Sequence, residues 1–112
     1  MVNKEKEVIQ YNFAKEFNPR PGKRFESLTP GRSGEKFRDE VLEKIFQENK
    51  KIVIDASEIS NPMIPSFLDE AFGAIATKYG LDKFLESVDI FSKKDKEIKD
   101  DMLYYVNRRF NP

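Results

Sequence analysis

The chain has 112 residues, 20 Lys+Arg matched by 20 Asp+Glu, and no histidine, cysteine or tryptophan. That length is one domain's worth. The missing residues exclude imidazole general bases, thiolate nucleophiles, disulfides and the usual zinc ligands. With 36% of residues charged and zero net charge, bulk attraction to nucleic acid or to an anionic membrane is not expected.

Residues 1–6 read as a flexible lead with no signal-peptide pattern. No apolar run reaches the roughly 18–20 residues of a membrane span, so a cytoplasmic setting is expected. From Glu7 to Phe13, Ile9, Tyr11 and Phe13 share one parity, the alternation of a half-buried strand. Residues 18–33 are loop-rich: Asn18-Pro19-Arg20-Pro21-Gly22 is a turn cluster, Lys23 to Leu28 suits a second short strand, and Thr29 to Gly34 closes another loop. Ser33 is a candidate N-cap, with Glu35 placed where the helix dipole favours an acid.

From Gly34 to about Asn49, Phe37, Val41, Leu42, Ile45 and Phe46 form one apolar helical stripe. Ile52-Val53-Ile54-Asp55 predicts a strand buried on both faces and ending in an acid. A second helix opens at Ser66, carries Leu68, Ala71, Phe72, Ile75, Ala76 and Tyr79 inward, and stops at Gly80. A helical turn over Leu81–Glu86 leads into the strand Val88–Phe91. The last helix runs from about Lys94 to Arg109, with Ile98, Met102, Tyr105, Val106 and Phe110 on its buried side. The order β-β-α-β-α-β-α implies right-handed crossovers. The expected architecture is a single α/β domain over residues 1–112, with a mixed sheet of about four strands and helices mainly on one face.

Three groups of residues bear on chemistry. Pro30 to Lys36 superficially suggests a phosphate loop, but lacks the four-residue spacer and the Gly-Lys-Ser/Thr ending, so a helix-capping turn is the better reading. The stretch 20–38 sets Arg20, Lys23, Arg24, Arg32, Lys36 and Arg38 against only Glu26 and Glu35. Arg20, Arg24, Arg32 and Arg38 are therefore candidates for an anion or an acidic partner, with nucleic acid or a nucleotide as the alternative ligand. Asp55, Glu58, Asp69 and Glu70 show no spacing that demands a metal, because Asp69 and Glu70 diverge by about 100° on a helix. No metal, cofactor or catalytic residue is expected.

Ser66 and Asp69 approximate a capping box at the start of the second helix. A hydroxyl there is also a candidate for phosphorylation, which Asp69 and Glu70 would oppose by like-charge repulsion. Phe67 lies off the stripe of Leu68 and Phe72, so it is either an exposed anchor or packed on the Pro62–Pro65 loop.

Ser33-Gly34-Glu35-Lys36-Phe37-Arg38 and Ser66-Phe67-Leu68-Asp69-Glu70-Ala71-Phe72-Gly73 resemble two signatures of a bacterial STAS-like family of uncharacterised function. Pro21-Gly22-Lys23-Arg24 resembles a third, upstream element. That family is similar in turn to the STAS domains of anti-sigma-factor antagonists. In those domains a strand-ending Asp precedes an Asp-Ser-Ser-Gly-Leu turn at a helix start. The resemblance matches Asp55 to the strand-ending Asp, Ser66 to the phosphorylated second serine and Leu68 to the leucine. Ile64, Pro65 and Phe67 stand where that signature has aspartate, the first serine and glycine. The resemblance implies a regulatory, non-enzymatic module that binds a protein partner through Asp55, Ser66, Phe67, Asp69 and Glu70. The implied partner is a switch protein with a histidine-kinase-like ATPase fold.

Residues 1–51 carry 12 of the basic and 9 of the acidic residues. Neutrality thus conceals a basic first part and an acidic second part, which would give a two-sided surface unless folding interleaves them.

Overall fold

The computed structural model describes residues 6–112. The flexible lead expected at residues 1–6 falls outside them, apart from Lys6, whose ammonium donates to Ser87 Oγ at 2.8 Å. Three runs rich in β-branched and aromatic residues form the sheet: β1 (Val8–Asn12), β2 (Lys51–Asp55) and β3 (Val88–Phe91). They lie side by side in the order β1-β2-β3, and both pairings are parallel.

The expected mixed sheet of about four strands is therefore a parallel sheet of three. The strand proposed for Lys23–Leu28 is instead a hydrogen-bonded loop. Lys23 and Arg24 give their carbonyls to Gly34 N and Glu35 N, both at 2.9 Å, while Lys23 N donates to Thr29 Oγ1 at 2.9 Å. Those carbonyls satisfy orphan donors at a helix start and are not available for a sheet ladder. Phe25 and Leu28, the large apolar residues of this segment, are both exposed.

Register explains the covered face of the sheet. Ile9, Ile52 and Val88 align across the strands, as do Tyr11, Ile54 and Ile90, and these are the residues turned to the core. The other face carries Val8, Gln10, Val53, Asp89 and Phe91, none of them buried. The expectation that β2 is buried on both faces is thus corrected. Two right-handed crossovers stepping in one direction deposit their helices on the same side, leaving the far side bare.

The first crossover contains α1 (Phe13–Glu16), α2 (Gly34–Phe37) and α3 (Glu43–Gln47), the last two joined by a π-helical turn at Arg38–Leu42. The second contains α4 (Pro65–Leu68), a π-helical turn at Asp69–Gly73, α5 (Ala74–Tyr79) and α6 (Leu81–Ser87). Gly80, at φ +99°, separates α5 from α6 in a backbone conformation that favours glycine. The last helix, α7 (Ile98–Phe110), starts later than expected because Ser92 Oγ accepts from Lys94 N and Asp95 N in a turn of its own. It buries Ile98, Met102 and Val106, leaves Tyr105 half-buried and exposes Phe110.

An aromatic cluster holds the layers together. Phe37 stands 5.1 Å from Phe13, 5.1 Å from Phe17, 5.9 Å from Phe72 and 6.2 Å from Phe67, in tilted or edge arrangements. Among the described residues, no helix is long and apolar enough to cross a membrane.

Candidate functional site

Construction of the site begins with a close approach. A Cβ at Gly34 would stand 2.9 Å from Phe67 O and 3.3 Å from Phe67 Cα, so only a glycine lets the start of α2 lie against α4. Ser33, extended at φ −78° and ψ 160°, caps α2 as the sequence predicts, with Oγ accepting from Lys36 N at 3.0 Å. Together with Lys23 O, Arg24 O and Ser33 O, this cap satisfies all of the first four amides of the helix.

An internal carboxylate completes that region. Glu26 accepts from Gly31 N and Ser33 Oγ, each at 2.6 Å. These bonds, the Ser33 hydroxyl's first, hold its carboxyl below the usual glutamate range. The capping turn preferred over a phosphate loop at Pro30–Lys36 is thus what forms, and the anion beside it is the chain's own Glu26.

The basic stretch does not form one patch either. Arg24 Nη1 binds Asp69 Oδ2 at 2.7 Å and Glu70 Oε1 at 3.1 Å, and Arg38 pairs with Glu70 Oε2. Arg20 is exposed, and Arg32 Nη1 turns to Arg20 O at 3.2 Å. Two of the four arginines proposed for an external anion are thus committed to internal carboxylates.

The same network accounts for Asp69 and Glu70. Diverging on the helix, they are met by arginines from different elements. Arg109 on α7 grips Asp69 with Nε at 2.8 Å and Nη2 at 3.0 Å. Arg109, then Arg24, hold the Asp69 carboxyl below the usual aspartate range against the opposing effect of burial. A Cβ on Gly73 would come within 3.2 Å of Arg109 Cγ and 3.0 Å of Asp69 Oδ1, so the glycine makes room for this pair to lie across the helix. The repulsion expected between these carboxylates and a phosphate at Ser66 is accordingly neutralised by three guanidiniums.

Ser66 is not the helix cap. The cap is Ile64, without a side-chain hydrogen bond, and Pro65 occupies the first helical position. Proline has no N–H to lose there and a preset φ, so it moves the helix start one residue upstream. Ser66 Oγ is left uncommitted to capping, partly exposed, and on the wall of a cleft of about 400 Å³. Pro65 and Asp69 line the cleft from the same helical segment, Tyr105, Arg108 and Arg109 line it from α7, and Arg24 completes the lining.

Phe67 is fully buried and 5.9 Å from Phe13. This overturns the exposed anchor and agrees with the packed alternative, with contacts that extend beyond the Pro62–Pro65 loop into the aromatic cluster. Asp55 lies outside the cleft lining; it accepts from Ser57 N at 2.9 Å, and the Ser57 bonds lower its carboxyl pKa. Among the described residues no three carboxylates gather closely enough to hold a metal ion.

Sequence reasoning missed Arg108 and Arg109. As a basic pair in the last turn of a helix they suit the helix dipole, and nothing near them in the chain points to residues 24, 66 or 69. Conversely, the two quoted signature blocks prove to be two halves of one contact: Gly34 meets Phe67, and Arg38 meets Glu70.

A family model described as a STAS-like domain of unknown function (DUF4325) matches residues 33–96. The match begins at the Ser33 cap, includes both π-helical turns and ends ahead of α7. No curated protein and no solved structure matches the chain.

Proposed function

The chain belongs to the family of STAS-like domains of unknown function (DUF4325), and from that premise we propose that it is a non-enzymatic regulatory module that binds a protein partner at the start of α4. The observation that carries this reading is Ser66 itself: a hydroxyl free of capping duty, partly exposed, beside the exposed Ile64 and Pro65. These three residues offer a partner a small apolar step with one modifiable group. Phosphorylation of Ser66 is the proposed switch. A partner ATPase of the histidine-kinase-like fold would transfer the γ-phosphoryl group of ATP to Ser66 Oγ, with ADP leaving and the hydroxyl proton released, adding close to two negative charges to the docked surface.

The test is a pull-down from the native cell with wild-type, Ser66→Ala and Ser66→Asp baits, with and without ATP, followed by mass spectrometry of Ser66. Ser66→Asp should weaken capture of the partner by about tenfold or more, the scale of a charge set into an interface. Ser66→Ala should hold the partner whether or not ATP is present. Equal capture by all three baits would remove the switch and keep the binding module; no specific capture would remove the module.

A further inference from the structure

The cleft between Ser66 and the last turn of α7 holds more positive charge than its own acid can neutralise. Arg24, Arg108 and Arg109 line it against one carboxylate, Asp69. Glu70 lies next in sequence but is already shared by Arg24 and Arg38.

Asp69 also leaves much of its partners' bonding capacity unused. A guanidinium carries five N–H groups. Asp69 engages Arg24 through Nη1 alone, and Arg109 through Nε and Nη2. Among the described residues, Arg24 Nε and Nη2 and Arg109 Nη1 meet no acceptor. Arg108 has no carboxylate within 4.0 Å among the described residues. Its guanidinium lies 5.7 Å from the ring of Tyr104 and 6.0 Å from that of Tyr105. A cation–π contact at this range holds the guanidinium beside the tyrosine rings while its N–H groups stay free to donate.

We propose that this cleft is a seat for a dianionic phosphate monoester, bound by Arg108 together with the open N–H groups of Arg24 and Arg109. Asp69 is the positioning residue that holds those two side by side. Charge selects the ligand: the lining carries an excess of two positive charges, which one carboxylate ligand would only half neutralise and one phosphate dianion matches. The seat goes beyond the partner-docking reading and requires no modification of Ser66, so either can fail without the other.

The experiment titrates the unphosphorylated chain with inorganic phosphate at constant ionic strength, followed by NMR of the arginine side chains and by calorimetry. Saturable binding is expected, weakening as pH falls through the second phosphate ionisation because the arginines stay charged. Arg108→Gln should weaken it about tenfold, the loss of one charge-assisted bond, and Arg108→Glu should abolish it. Arg20→Gln, outside the cleft, should leave it unchanged. Arg108 is exposed and unpaired with any described acid, so these variants should keep the wild-type circular dichroism; Arg109→Lys, which keeps the charge but loses the fork, provides a second reduction. O-phosphoserine and a phosphoserine peptide distinguish the sources: tighter peptide binding indicates a phosphorylated protein, and equal affinity a free monoester, either of which retains the seat. No saturable binding by the wild type, or equal weakening by Arg20→Gln and Arg108→Gln, overturns it.

Discussion

Ser33 and Ser66 read alike in the sequence, each a small hydroxyl ahead of an acid and an apolar stripe, yet only Ser33 caps a helix. The difference was written in the residue before. Pro65 is suited to the first helical position, and reading it that way would have moved the helix start and released Ser66. The ion pairs of Asp69 had no such local sign, since Arg24 and Arg109 lie more than a whole element away in either direction. That carboxylate leads to a pH prediction. Its folded-state pKa is depressed, by Arg109 first and Arg24 next, so its contribution to stability is complete above the unfolded-state value near 4 and is lost as pH falls through the folded one. Asp69→Asn should therefore be less stable than wild type at pH 7 and decline less steeply between about pH 5 and 2. Urea midpoints across that range check it, and parallel declines would reject the assignment.

Helical elements were found closely by their apolar stripes. The first was expected from Gly34 to about Asn49 and runs from Gly34 to Gln47; the second was expected to stop at Gly80 and does. A period of 3.6 residues cannot reveal that each rod contains a π-helical turn. Phe37 and Leu42, five residues apart, are both fully buried across the first of these, while Val41 is only partly so. The wider turn brings residues at i and i+5 to one face. The first turn opens at Arg38 and the second at Asp69, so both irregularities begin at members of the charged network. Two helical glycines separate close packing from mere room for a side chain. Gly34→Ala drives Cβ against the backbone of α4 and should destabilise by about 1–3 kcal/mol, the range for overpacking. Gly73→Ala meets the movable side chains of Asp69 and Arg109, so a helix-propensity gain of up to about 1 kcal/mol offsets the displacement. Chemical denaturation of the two variants should show a clear loss for the first and little change for the second.

For the molecule as a whole, the basic first part and acidic second part do not form two sides. Arg24 and Arg38 cross to Asp69 and Glu70, Lys6 reaches toward Glu86 and Lys15 toward Glu58, while Lys78 returns the exchange to Glu43. Folding interleaves the charges, so the two-sided surface does not form, while the cleft beside α7 keeps an excess of arginine over carboxylate. The strand count is not legible in the sequence, which shows which residues are apolar but not whether a neighbouring strand is present to take their backbone bonds. One-sidedness of the sheet yields a stability test at this scale. Ile54→Ala removes a fully buried side chain and should cost about 2–5 kcal/mol, whereas Val53→Ala, on the bare face, should cost less than about 1 kcal/mol. Similar losses in urea denaturation would mean that the second face is covered after all. The all-parallel register also constrains the order of events in folding. Val8 pairs with Lys51 and Ile52 with Val88, so no strand can zip to its sequence neighbour through a tight turn. Each pairing must first close a loop of several tens of residues, an entropic barrier that helices, with their local contacts, do not face. The individual helical turns form on local contacts, whereas the meeting of Gly34 with Phe67 waits, like the strand pairings, on closure of a loop of similar length.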